Sequence, residues 1–235
     1  MNHDALGQPT GFAVEGWSPR PRPPRTAMVG RWCRVEPIDV DLHASDLFEA
    51  NSRDHEGRNW TYLSTGPFAD LEAYRRWLTT TMSGDDPMMH AIVDLQSGKA
   101  VGVAAFLRVD PSHGVIEVGH INYSPHLQRT VAGTEAMYLM MRRVFHELGY
   151  RRYEWKCDNL NAPSIAAAER LGFRFEGIFR QAIVYKGRNR DSAWFSIIDG
   201  EWPALRSEFE RWLHPDNFSH EGVQRTRLLQ TPSRV

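Results

Sequence analysis

Cysteine is nearly absent. Cys33 and Cys157 are the only two in 235 residues, too few and too far apart for a disulfide framework or a zinc knuckle, so both are expected to be reduced. Charge of one sign is missing as well: 28 Lys and Arg nearly cancel 29 Asp and Glu, for a formal net charge of −1. That balance removes the usual argument for a nucleic-acid partner. No long uncharged apolar run stands at either end, so neither a membrane span nor a secretory signal is expected, and cytoplasm is the default. The ten histidines include no pair at i, i+4 helical spacing and none beside a cysteine, so no metal is expected. What is present suits a soluble globular chain: 41% hydrophobic and 24% charged residues, long enough to bury about 70 to 75% of the unfolded surface around one core.

Residues 1–27 are poor in periodicity and carry Ser18-Pro19-Arg20-Pro21-Arg22-Pro23-Pro24-Arg25, an extended arm whose prolines cannot feed a sheet interior. Residues 28–213 form the expected domain and 214–235 a polar tail. Strands are predicted at 32–36, 88–95, 100–109, 115–123, 153–157, 173–186 and 192–198. Gly98 supplies the turn between the second and third of these. Helices are predicted at 39–50, 71–82, 134–148 and 161–171. The strongest is 134–148, where Met137, Met140, Met141, Val144, Phe145 and Leu148 fall at helical spacing and Gly149 stands at the C-terminal cap. Tyr153, Trp155 and Cys157 alternate with Arg152, Glu154 and Lys156, a strand with one wetter face. The alternation of strands and helices makes a mixed α/β sheet.

Gln128-Arg129-Thr130-Val131-Ala132-Gly133-Thr134-Glu135-Ala136 lies between a strand and the strongest helix. Amides at a helix N-terminus bind anions, although, taken alone, the stretch reads better as an ordinary capped helix start, with Glu135 favouring the dipole. Further on come Asn161-x-x-Ser164, Leu171-Gly172-Phe173 and Glu176-Gly177-x-x-Arg180. In this order the segments resemble the GNAT superfamily of acetyl-CoA-dependent N-acetyltransferases, specifically its RimJ/RimL-like branch, over about residues 28–213.

The resemblance implies an α/β fold with a mostly antiparallel sheet of six to seven strands, flanked by helices and splayed in the middle where coenzyme A inserts. It implies acetyl-CoA as cosubstrate, a primary amine as acceptor, and a possible homodimer. The loop Gln128, Arg129, Thr130, Val131, Ala132, Gly133, Thr134 would hold the pyrophosphate. The strand Gly119-His120-Ile121-Asn122-Tyr123 would hold the pantetheine arm through its backbone, at Ile121 and Tyr123. The family's first loop glycine is Val131 here. A β-branched residue at positive φ is strained, so either the backbone stays helical or the phosphate approach is altered.

Ser164 falls on the position whose hydroxyl faces the coenzyme sulfur, with Asn161 one turn before; both are also good helix caps. A tyrosine that many relatives use as general acid is Ala168 here. For the base, Glu117 and His120 are candidates: strict alternation puts Glu117 with Gly119 and Ile121, and His120 with Val118 and Asn122. A water relay would need neither. Cys157, on the apolar alternation of its strand, is not expected to carry an acetyl group. Trp60, Tyr62, Phe68, Tyr74 and Trp77 fall where an acceptor pocket would be roofed, or in the core. Arg188 and Arg190 are either anion contacts or solvated turn charges. A protein of the same fold that binds acyl-CoA without catalysis is the alternative function.

Overall fold

The computed structural model describes residues 2–82 and 84–229. Two short strands, β1 (Asn2–His3) and β2 (Pro9–Thr10), pair with each other in the arm. The main sheet begins with β3 (Met28–Val29) and β4 (Cys33–Pro37). Helices α1 (Val40–Ser52) and α2 (Leu71–Thr81) follow, capped by the Asp39 and Asp70 carboxylates, which accept from first-turn amides. Three antiparallel strands come next: β5 (Met88–Asp94), β6 (Ala100–Asp110) and β7 (Val115–Tyr123). Then α3 (Val131–Arg142) crosses over to β8 (Arg152–Asp158), and α4 (Ala162–Arg170), β9 (Arg174–Tyr185), β10 (Arg188–Ile198) and α5 (Trp202–Trp212) complete the chain's main elements.

The sheet has eight strands in the order β3-β4-β5-β6-β7-β8-β10-β9. All neighbours are antiparallel except β7 and β8. The expected count of six to seven omitted β3, two residues with no room for a period, whose partners are Val35 and Arg34. Helix α5 was also absent from the sequence reading.

Two apolar clusters pack on opposite faces. Ile116, Val118, Met137, Met140, Tyr153, Trp155, Phe173, Phe195 and Phe209 belong to one, with α3, α4 and α5. Trp60, Tyr74, Leu78, Met89, Ala91 and Val103 belong to the other, under α1 and α2. Helix α3 begins three residues before the periodic pattern does, because every residue from Ala132 to Met141 is buried and a helix covered on all sides has no polar stripe to mark its start. It continues through a wider π-type turn over Arg143–Glu147, and Gly149 takes a φ of +69° where the chain leaves it.

Both ends fold back on the domain. Pro23 is buried, the Tyr150 hydroxyl donates to the Pro21 carbonyl, and Leu228 is buried in the α3-side cluster. Among the described residues no helix is long and apolar enough to cross a membrane.

Candidate active site

Strands β7 and β8 pair only from Val115↔Arg152 to Val118↔Trp155. Beyond that point both continue, β7 to Tyr123 and β8 to Asp158, without pairing. The sheet therefore opens in a V whose apex lies at Val118 and Trp155. The opening starts beside a bulge: Val103 pairs with Asn122 and Ala105 with Gly119, so Ala104 alone opposes His120 and Ile121. His120 takes up the extra residue with φ +49°, a conformation an L-residue adopts at some cost.

The bulge overturns the expected alternation. Val103 and Ala105, the partners of Asn122 and Gly119, belong to the α1/α2 cluster. Ile121 and Tyr123 pack instead with Ile116 and Val118 on the α3 side. Glu117, Gly119 and Asn122 thus share one face, and Ile121 is on the other, because an inserted residue shifts a period of two by one.

Glu117 is buried, and its carboxylate is fully engaged. Arg108 Nη1 reaches its two oxygens at 2.7 and 2.8 Å, and Lys156 Nζ lies at 2.8 Å. Arg108 is aimed there by a second bulge, between Leu107 and Asp110, with φ +48°. Lys156 also pairs with Glu154 at 2.8 Å and sits 3.7 Å over the Trp194 ring, while Glu154 pairs with Arg152 at 2.7 Å. The face that alternation marked as wetter is a nearly buried ladder of paired charges.

His120 is different. Burial first, and the charge of Arg108 second, push its imidazole below the usual histidine range, with Asp86 opposing. It is the neutral form that its surroundings favour.

On the other side of the V, Asn161 Oδ1 accepts from the Ser164 amide at 3.2 Å, so Asn161 caps α4. The Ser164 hydroxyl oxygen accepts the indole N–H of Trp155 at 3.0 Å. Cys157 is buried, which pushes its thiol up, and a hydrogen bond with Ser164 acts in the opposite direction.

At the start of α3, Thr130 is the N-cap, its hydroxyl oxygen accepting from the Gly133 amide at 3.0 Å. Val131 is the first helical residue, and the positive φ of the loop, +60°, belongs to Arg129. The strain that a positive φ at Val131 would cause is avoided. The amides of Val131 and Ala132 point from the helix N-terminus with no partner among the described residues. Gly133 has a packing reason of its own: a Cβ there would stand 2.7 Å from the Leu127 carbonyl and 3.0 Å from the Tyr123 ring, whose hydroxyl donates to the Gly133 carbonyl at 2.8 Å. Gln128 is exposed and donates to the Tyr123 carbonyl and to Asn59 Oδ1, both at 2.8 Å. Thr134 is buried and its hydroxyl accepts from Arg170 at 3.1 Å.

A strap closes over the V from the α1–α2 connection. Asn59 donates to the Tyr123 carbonyl at 3.2 Å and Tyr62 to that of Leu160 at 3.0 Å. Lys186 and Arg188 reach the carbonyls of Trp60 and Thr61, each at 2.7 Å. Arg188 is thus a brace across the V, and Arg190 donates to Ser192 at 3.0 Å. Of the five aromatics, Trp60, Phe68, Tyr74 and Trp77 pack edge-on or tilted with centroids 5.1 to 6.4 Å apart. Tyr74 and Trp60 are buried, which makes them core. Trp155, Arg108, Lys156 and Asn59 were not singled out from sequence; strand alternation placed Trp155 inward but could not show what its indole touches.

Residues 34–174 match the family model for the acetyltransferase (GNAT) domain. The chain belongs to this family and is an acyltransferase. A crystal structure of a GCN5-related N-acetyltransferase from Brucella melitensis is 48% identical, covers 92% of this chain and 97% of its own, and superposes with a TM-score of 0.89. The uncharacterized N-acetyltransferase p20 of Bacillus licheniformis is 27% identical over 145 residues, 60% of this chain and 80% of its own. RimL, a ribosomal L7/L12 α-N-protein acetyltransferase solved with coenzyme A, shares the fold with a TM-score of 0.58 at 19% identity, over 74% of this chain and 98% of its own. The GNAT fold with its splayed mixed sheet is as expected.

Proposed function

We propose that this acetyltransferase moves the acetyl group of acetyl-CoA onto a primary amine, a peptide N-terminus or a small-molecule amine, by direct attack with both substrates bound. The observation that carries this reading is the V between β7 and β8. Its apex is flanked by the bulged His120 on β7 and by Ser164 of α4, which the Trp155 indole of β8 contacts, and the free amides of α3 stand at its mouth.

The residues present fit coenzyme A. The amides of Val131 and Ala132, at the positive end of α3, suit a pyrophosphate, with Gly133 and Thr134 completing that turn. The edge of β7 that faces β8, unpaired from Gly119 to Tyr123 while the other edge stays on β6, suits an extended pantetheine arm, which can pair with it as a strand would; the Tyr123 carbonyl, already taken by Asn59 and Gln128, is the exception. Acetyl-CoA, when bound, supplies an activated thioester. The chain's own groups do the rest. His120, kept neutral, takes a proton from the acceptor ammonium or attacking amine, directly or through one water. The Ser164 hydroxyl donates toward the departing sulfur, stabilising charge that develops only in the transition state. The engaged Glu117 is a scaffold for Lys156 and Arg108 in this reading. Cys157, buried with its thiol pushed up, is not a carrier.

Titration with acetyl-CoA by calorimetry, followed by thiol release and mass spectrometry with a panel of peptides, amino acids and polyamines, tests the proposal. Binding and an acetylated amine are expected. Binding with no thiol release on any amine would leave acyl-CoA recognition without transfer to these acceptors.

A further inference from the structure

Ser164 has a partner toward which its own hydrogen cannot point. An indole N–H can donate and cannot accept, whereas a serine hydroxyl can do both. The 3.0 Å contact between Trp155 Nε1 and Ser164 Oγ therefore has one polarity: Trp155 donates and Ser164 accepts. One lone pair of the oxygen is used, and the hydroxyl hydrogen remains for a further acceptor. The Cys157 sulfur lies near both the Ser164 hydroxyl and the Trp155 indole, and the coenzyme sulfur would compete with it for that hydrogen.

The indole is rigidly placed. Trp155 is buried, its ring meets Phe173 edge-on at 5.5 Å, and its backbone forms the last pair with β7 before the strands part. It sits at the apex of the V and projects toward the first turn of α4, which Asn161 caps through the amide of Ser164 itself.

We infer that Trp155 is a positioning residue for the transfer step. By donating to Ser164 it holds that hydroxyl as a hydrogen-bond donor aimed at the coenzyme sulfur, and it strengthens the donation by polarising the O–H bond. Hydrogen bonds in series reinforce one another in this way, and the gain is largest when the final acceptor becomes an anion. A serine with a free rotor would spend part of its time offering a lone pair to the leaving thiolate, which repels it. This inference rests on the transferase reading and on the role given there to Ser164.

Four proteins test it: wild type, Trp155→Phe, Ser164→Ala and the double variant. A fifth carries benzothienylalanine at 155, which replaces the ring N–H by sulfur and keeps the bicyclic shape, so that loss of packing is separated from loss of the donor. Steady-state turnover is measured with acetyl-CoA and the amine selected by the panel, and coenzyme A affinity by calorimetry. Ser164→Ala is expected to lower kcat about 10- to 1000-fold, and both Trp155 replacements about 5- to 50-fold. KM for acetyl-CoA and the affinity for coenzyme A should stay within about twofold of wild type. In the Ser164→Ala background, Trp155→Phe should have no further effect on kcat, because a group that acts through Ser164 has nothing left to act on.

Wild-type turnover in the benzothienylalanine protein, or a Trp155→Phe effect that persists undiminished without Ser164, overturns the positioning role while leaving the transferase reading in place. Unchanged turnover in Ser164→Ala overturns both the positioning role and the function given to Ser164.

Discussion

At the scale of single residues, His120 is where charge and backbone act together. Its φ of +49° turns the side chain out of the strand's alternation, and burial with Arg108 nearby favours its neutral form. A base whose pKa is lowered is free to accept a proton over a wider pH range, and loses that ability only when the pH falls through the lowered value. The acidic limb of kcat/KM, which reports the free enzyme, should therefore lie below pH 6.5. His120→Gln should lower kcat/KM by about 100-fold and abolish the limb. A limb that survives the substitution would show that His120 is not the group that titrates. The residue types at 117 and 120 were legible in the sequence as candidates. Their relation was not, since Glu117 is paired with cations from the strands on either side, and the positive φ of the bulge that inverts the alternation falls on His120 and not on Gly119 beside it.

At the scale of elements, α3 is tied to the sheet edge by one carboxylate. Glu135 is buried and accepts three backbone amides, those of Arg31, Trp32 and Cys33, at 2.7 to 2.9 Å. This clamp starts β4, and it explains Gly30, where a Cβ would fall 2.3 Å from the Glu135 carboxyl carbon. The same burial and the charge of Glu135 push the Cys33 thiol well above its usual range, which keeps it inert. From sequence, Glu135 was readable only as a favourable charge near a helix start. Its partners lie about a hundred residues earlier and are backbone groups, which no side-chain pattern announces. Glu135→Ala leaves three amides without their acceptor and should destabilise the fold by about 3 kcal/mol. Urea unfolding should show the midpoint falling with little change in slope. A loss below about 1 kcal/mol would mean that water replaces the carboxylate at little cost.

At the scale of the whole molecule, most strands and helices of the domain were readable because their periodicity is strong, whereas the splay was expected from the resemblance to the GNAT family alone. The ends have no period, and their packing is set by single side chains. Trp17 donates its indole N–H to the Ser112 carbonyl at 2.9 Å, lies between the Arg20 and Arg151 guanidinium groups at 4.6 and 5.3 Å, and fills the space beside Gly114, where a Cβ would be 2.4 Å from its ring. Further along, the buried Arg143 donates to Thr26 Oγ1 at 3.1 Å and to the Pro24 carbonyl at 3.4 Å. These contacts make residues 17–27 part of the cooperative unit, whereas residues 2–12 are exposed and paired only among themselves. Deleting residues 2–12 should therefore change stability by no more than about 0.5 kcal/mol. Deleting 2–27 strips partners from a buried guanidinium and from the Tyr150 hydroxyl and should cost about 3 kcal/mol or more. Thermal and urea unfolding of the two truncations against the full chain decides the matter: equal stability of all three would place the boundary of the folding unit after the arm, at Met28, while a loss in the longer deletion alone places it within residues 13–27, the stretch that holds Trp17.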